Sequence, residues 1–152
     1  MLDFHHTEID DLKRSAALII EVLKDTRDIQ KNVNFYLKSK NEYIKEEYNI
    51  LRKEIAEILI DINTLSTIET DIEQLTQLQV IKTTLAENDL ASSEEIGALI
   101  REDKIKATMA TSYMNDSATG YSIQKKLVEV ATILFINNNL LKEIGEQKHE
   151  TK

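Results

Sequence analysis

Proline, cysteine and tryptophan are absent from this 152-residue chain, and glycine occurs only 3 times. Proline removes a backbone donor and clashes with the preceding turn, so its absence permits very long helices. Without cysteine there is no disulfide framework, no thiolate metal site and no thiol nucleophile, which fits a reducing compartment. Aromatics make up 5% of the chain, leaving Ile and Leu to supply the core. Long apolar runs are missing too. The longest, Ala16-Ala17-Leu18-Ile19-Ile20, stops at Glu21, well short of the ~18 residues that span a bilayer. The stretch from Met1 to Asp11 is polar and acidic, unlike a secretory signal. Histidine is confined to His5-His6 and His149, so no interior nucleophile–base pair is legible. Gly97, Gly120 and Gly145 stand alone, with no phosphate loop around them. The expectation is a chain without a catalytic centre and without a cofactor.

Charge is unbalanced in the acidic direction, with a formal net of −8. Nucleic acid needs a basic face, and an anionic membrane surface repels such a chain, so neither is expected as a partner. Direct insertion into a membrane is not expected either.

What is present is helical periodicity. A first helix is read from Thr7, its N-cap, to Lys38, with a seam at Ile9, Leu12, Ala16, Ile19, Leu23, Thr26, Gln30, Val33 and Leu37. Ser39-Lys40-Asn41 breaks it, and Asn41 caps a second helix reaching Leu65. Its seam is Ile44, Tyr48, Leu51, Ile55, Ile58, Ile62 and Leu65. Ser66-Thr67 supplies a turn, and a third helix follows from Ile68 to Glu87. Asn88-Asp89 ends it, and Ser92 with Glu95 has capping-box spacing for a short helix reaching Glu102. The last helix spans Lys106 to Leu141. Short connections make successive helices antiparallel, so the chain reads as an all-α, up-down bundle forming one domain over 1–152, with flexible ends at 1–6 and 145–152.

The last helix is unusual in its first half, which is small and polar from Ala107 to Tyr121. Tyr113, Gly120, Leu127, Leu134 and Leu141 form one heptad row, and Ser117, Gln124, Ala131 and Asn138 a companion row. Buried polar groups need partners. An interhelical polar cluster is therefore expected from Thr26, Gln30 and Asn32 on the first helix and Asn115, Asp116, Ser117 and Gln124 on the last. A pocket for a small ligand is the sharper alternative. Two carboxylate pairs with helical spacing, Glu21 with Asp25 and Glu57 with Asp61, are the weak candidates for a metal site. Both pairs fall outside the seams read above, which favours a solvated acidic surface, and no metal ligand is assigned.

Three segments resemble a known family. They are Lys31-Asn32 with Tyr36-Leu37, then Tyr43 to Arg52, then Ile100 to Ile105 continuing into Met109-Ala110-Thr111-Ser112-Tyr113-Met114-Asn115-Asp116-Ser117-Ala118. They are similar to the C-terminal cytoplasmic, PhoU-like helical domain of bacterial sodium/phosphate cotransporter proteins, over about Ala16 to Phe135. The resemblance implies a PhoU-like bundle at the cytoplasmic face of the inner membrane. Its partner would be the transmembrane phosphate transporter region, in the same polypeptide or apart from it, and its role regulation or assembly. A free-standing phosphate-signalling adaptor, a homo-oligomer and a carboxylate-bridged di-metal bundle are the alternatives. Family members can bind metals through Glu/Asp-x-x-x-Asp motifs, a spacing shared by the two pairs above.

Overall fold

The computed structural model describes residues 2–136, and side chains from residue 7 onward. Among the described residues there are four helices and no strand: α1 (Leu2–Tyr36), α2 (Glu42–Thr67), α3 (Asp71–Arg101) and α4 (Ala107–Phe135). None is long and apolar enough to cross a membrane. His149, Asn138, Leu141 and the charged tail lie outside the described residues.

Local chemistry explains the boundaries. Asn41 caps α2 by accepting from the Ile44 N–H at 3.1 Å, and its amide donates to the Lys104 carbonyl at 2.8 Å. One side chain thus starts α2 and ties the α1–α2 turn to the α3–α4 turn. Thr70 caps α3: its hydroxyl accepts from the Glu73 N–H and donates to the Glu73 carboxylate. Asp103 takes a left-handed backbone conformation (φ 54°) between α3 and α4.

Several sequence expectations are corrected. α1 already runs at Leu2, so Thr7 is no cap. The turn before α3 is centred on Ile68 to Thr70, beyond Ser66-Thr67. Most significantly, α3 passes through Asn88-Asp89 and Ser92 without a break. Asn and Asp each cost a helix only about half a kcal/mol. Leu78, Leu85, Ser92 and Leu99 fall on one heptad row, and its three leucines are buried in the core. Burial of that continuous row outweighs the local breaking signal.

Helix contacts define the packing. Along α1 and α4, Arg14 pairs with Glu129, Asp25 with Lys126 and Asn32 with Asp116, so the two helices are antiparallel. α2 and α4 run parallel: Tyr48 meets Asp116, and Ile58 and Leu65 share a core cluster with Val128, Ala131 and Ile136. In an up-down bundle these two helices lie on a diagonal, yet they touch closely at Gly120. A Cβ there would lie 2.5 Å from Leu51 Cδ1 and 3.6 Å from Ile55 Cδ1. The missing side chain lets the diagonal shorten, and the bundle is flattened. α1 and α3, on the other diagonal, barely touch.

The α2 seam is as expected, with Ile44, Tyr48, Leu51, Ile58 and Leu65 buried. The α1 seam is not. Ser15, Val22 and Ile29 are its buried residues, whereas Ile9, Leu12, Ile19 and Leu23 are exposed. Beside that row the face turned to α4 carries Asp25 and Asn32, to which α4 offers Lys126 and Asp116 as partners.

Candidate functional site

Polar side chains meet where α1, α2 and α4 converge. Asp116 is 7% exposed, held there by the small-residue half of α4, which allows the neighbouring helices to close around it. The Tyr48 hydroxyl donates to Asp116 Oδ2 at 2.6 Å, and Asn32 Nδ2 donates to the same oxygen at 2.9 Å. Three helices are joined through one carboxylate oxygen. Tyr48 is itself fully buried. Its ring stacks on Tyr36 with centroids 4.7 Å apart and meets Tyr113 edge-on at 5.3 Å. Burial, and then the hydrogen bond to Asp116, push the Tyr48 hydroxyl far above the ordinary phenol range. It stays protonated and remains a donor.

A second polar line joins α4 to α3. The hydroxyls of Tyr113 and Ser92 are 2.8 Å apart, and Ser92 and Ser117 are 3.4 Å apart. Burial raises Tyr113 as well. Glu47, one residue before Tyr48, is 6% exposed. Burial and the facing charge of Glu95 push its carboxyl up to about 7, against a lowering hydrogen bond from Tyr113. Glu54, one heptad along α2, is also raised, by burial and then by Glu57 and Asp89.

Of the residues expected in the polar cluster, the structure brings Asn32 and Asp116 together and places Ser117 on the Ser92 line. Gln124 is buried one heptad beyond Ser117, beside Leu51, Glu54 and Asn88. Thr26, Gln30 and Asn115 do not join. Thr26 is exposed and donates back to the Val22 carbonyl at 2.7 Å, Gln30 is exposed, and Asn115 points to solvent. All three lie off the buried side of their helices: Thr26 and Gln30 because the α1 row in contact is that of Ser15, Val22 and Ile29, and Asn115 because α4 buries Tyr113 and Asp116 to either side of it.

Tyr48 and Tyr113 were legible as core residues but not as hydrogen-bonding ones. The sequence marks neither Glu47 nor Lys126, and it marks Ser92 as a helix cap and not as a partner of Tyr113. The signal for Glu47 was its place three residues after Ile44 and four before Leu51, on the buried face of α2. Ser92 was signalled by its heptad row.

The carboxylate pairs are placed differently from the expectation. Asp25 and Glu21 face α4, and Lys126 reaches Asp25 at 2.7 Å and Glu21 at 3.1 Å. Those hydrogen bonds raise the Lys126 ammonium. Glu57 is exposed and Asp61 half-buried. Among the described residues no group of three or more His, Asp or Glu side chains converges as metal ligands would.

A groove of about 510 Å³ lies apart from this network, between α1 and α3 over α4. Arg14, Lys82 and Lys125 line it, with the Lys125 ammonium 4.4 Å from the Tyr121 ring centroid.

No family model, no curated protein and no solved structure matches this chain.

Proposed function

We propose that this chain is a non-catalytic regulatory or assembly domain of PhoU-like type, acting on a sodium-dependent phosphate transporter at the cytoplasmic face. One observation carries the reading. The string that bears the family resemblance, Ala110 to Ser117, supplies Tyr113, Asp116 and Ser117, the residues that stitch α4 to α1, α2 and α3. A sequence feature recognisable in a regulatory family is here the polar interior of the bundle. Its groups are matched donor to acceptor, and burial keeps the Tyr48 and Tyr113 hydroxyls protonated, so the arrangement suits a register-setting lock better than a reacting centre. Regulation would act through the long helical faces that surround the lock.

Sodium-dependent phosphate uptake by the cells that encode the chain tests this. Deleting the chain is expected to change uptake, and restoring it to reverse the change. Unchanged uptake would sink the transporter reading. An Asp116→Ala variant of normal stability that still abolishes regulation would move Asp116 from lock to functional contact.

A further inference from the structure

α1 carries a second apolar row that nothing in the described bundle covers. Ile9, Leu12, Ala16, Ile19 and Leu23 alternate in spacings of three and four, the spacing of a helix-packing seam. Ile9 is 50% exposed, Leu12 60%, Ile19 42% and Leu23 65%, with Ile20 at 53% beside them. The row covers about four turns, ~21 Å at ~1.5 Å per residue. Single exposed aliphatics are ordinary, but a contiguous stripe of them marks a contact surface.

One edge of the stripe is basic, while the other carries Glu8. At about 100° per residue, Lys13, Lys24 and Lys31 fall along one edge, and Arg27 continues the stripe itself. All four are exposed, and none makes a salt bridge among the described residues. Asp10 and Asp28 lie further round, on the side where Glu21 meets Lys126. A chain of net charge −8 therefore presents its long apolar stripe beside cations that form no salt bridge among the described residues.

That border selects among occupants. Antiparallel pairing of α1 with α1 of a second copy would set the basic edge against itself, and like charges across an interface are costly; parallel pairing would set it against the opposite edge of Glu8, Thr26 and Gln30, one carboxylate against four cations. The other exposed aliphatics, Leu59 and Ile60 on α2 and Ile72, Val80 and Leu90 on α3, form no stripe of matching length. An anionic bilayer would attract the edge but repel the strongly acidic remainder.

We propose that the outer face of α1 is a docking surface for an acidic amphipathic helix of a partner protein. Aliphatic side chains of that helix pack between Leu12, Ile19 and Leu23, and its carboxylates meet Lys13, Lys24, Arg27 and Lys31. The apolar stripe from Ile9 to Leu23 ends well before Asn32, where α1 meets the Asp116 network, so the inference stands or falls independently of the transporter reading.

The test uses the full chain and two labelled synthetic helices, both with leucine at the seam positions, one flanked by glutamate and the other by lysine. Fluorescence anisotropy is expected to show saturable binding of the glutamate helix, at least about ten-fold tighter than the lysine helix and weakened by salt. Leu23→Asp, or Lys24→Glu with Arg27→Glu, is expected to weaken it by about ten-fold or more, with the melting curve unchanged because these side chains are exposed. Absence of saturable binding, equal binding of both helices, or indifference to the substitutions would overturn the proposal. So would a concentration-dependent dimer abolished by Leu23→Asp, which assigns the face to a second copy. Binding to phosphatidylglycerol vesicles, lost in the same variants while the glutamate helix stays unbound, would overturn it in favour of a membrane.

Discussion

Asp116 accepts two hydrogen bonds on one oxygen, and neither donor has a second acceptor among the bonds described. Asp116→Ala leaves the fully buried Tyr48 hydroxyl unsatisfied, along with Asn32. An unpaired buried donor costs about 1–3 kcal/mol, so a loss of about 2–4 kcal/mol is expected in urea unfolding at neutral pH. Asp116→Asn keeps an oxygen for Tyr48 and should cost less than half as much. An alanine variant within about 0.5 kcal/mol of the parent would show that the network does not hold the helices. Glu47 adds a pH dependence. Its folded pKa is raised to about 7 from an ordinary 4.5, so folding favours the protonated form. The associated stability is fully present below about pH 4.5 and is lost as pH rises through 7, amounting to at most about 3 kcal/mol. Glu47→Gln should flatten that part of the profile. Urea midpoints measured between pH 5 and 8 that fall in parallel for both proteins would contradict this assignment.

At the scale of the helix, legibility depended on whether the buried row was also the apolar one. α2 satisfies that condition, and its seam from Ile44 to Leu65 could be read directly, together with the Asn41 cap. α1 does not. Its apolar row, Ile9 to Leu23, faces water, and its buried face includes Ser15, Asp25 and Asn32. The choice between the rows was made by α4, through Lys126 and Asp116, and a single helix's periodicity contains no such information. In α3 the capping-box spacing of Ser92 and Glu95 was real but unused, since a cap acts only where tertiary packing lets the chain leave the helix. Asp116 itself was legible because a polar residue fell near a predicted seam. Glu47 was hidden because the second of two adjacent glutamates, Glu46-Glu47, reads as surface. Gly120 illustrates an element-level constraint that can be measured. Gly120→Val gains a few tenths of a kcal/mol in helix propensity but overpacks Leu51 and Ile55 by about 1–3 kcal/mol, for a net loss of about 2 kcal/mol. Gly120→Ala combined with Leu51→Ala should cost at least about 1 kcal/mol less than the two changes summed, because the new methyl enters the space vacated by leucine. Strict additivity in thermal or urea unfolding would mean that the two helices do not approach closely here.

For the whole molecule, the short α2–α4 diagonal distributes stability unevenly. α4 is in contact with all three other helices, and the buried Tyr48, Tyr113 and Ile123 lie along its junctions. α1 is held chiefly by α4, through Val22 and Ile29 and through a few polar ties. Toward its N-terminal half those ties are weak. Arg14 and Glu129 are both substantially exposed, as is Glu21, and exposed ion pairs contribute roughly 0–1 kcal/mol. Ser15 is buried there with its hydroxyl unpaired, which subtracts further. The first half of α1 should therefore open at lower free energy than the rest of the bundle, as a sub-global unit. Amide hydrogen exchange read by mass spectrometry is expected to show the least protection within α1 over residues 7–20. Protection should rise past Asn32, where Asp116 anchors the helix, and be greatest in α2 and α4 near Tyr48 and Ile123. The contrast should persist at moderate salt, since its cause is one-sided packing and not charge. Equal protection along α1, α2 and α4 would show that the flattened bundle unfolds as a single cooperative unit, with its outer helix as firmly held as its centre.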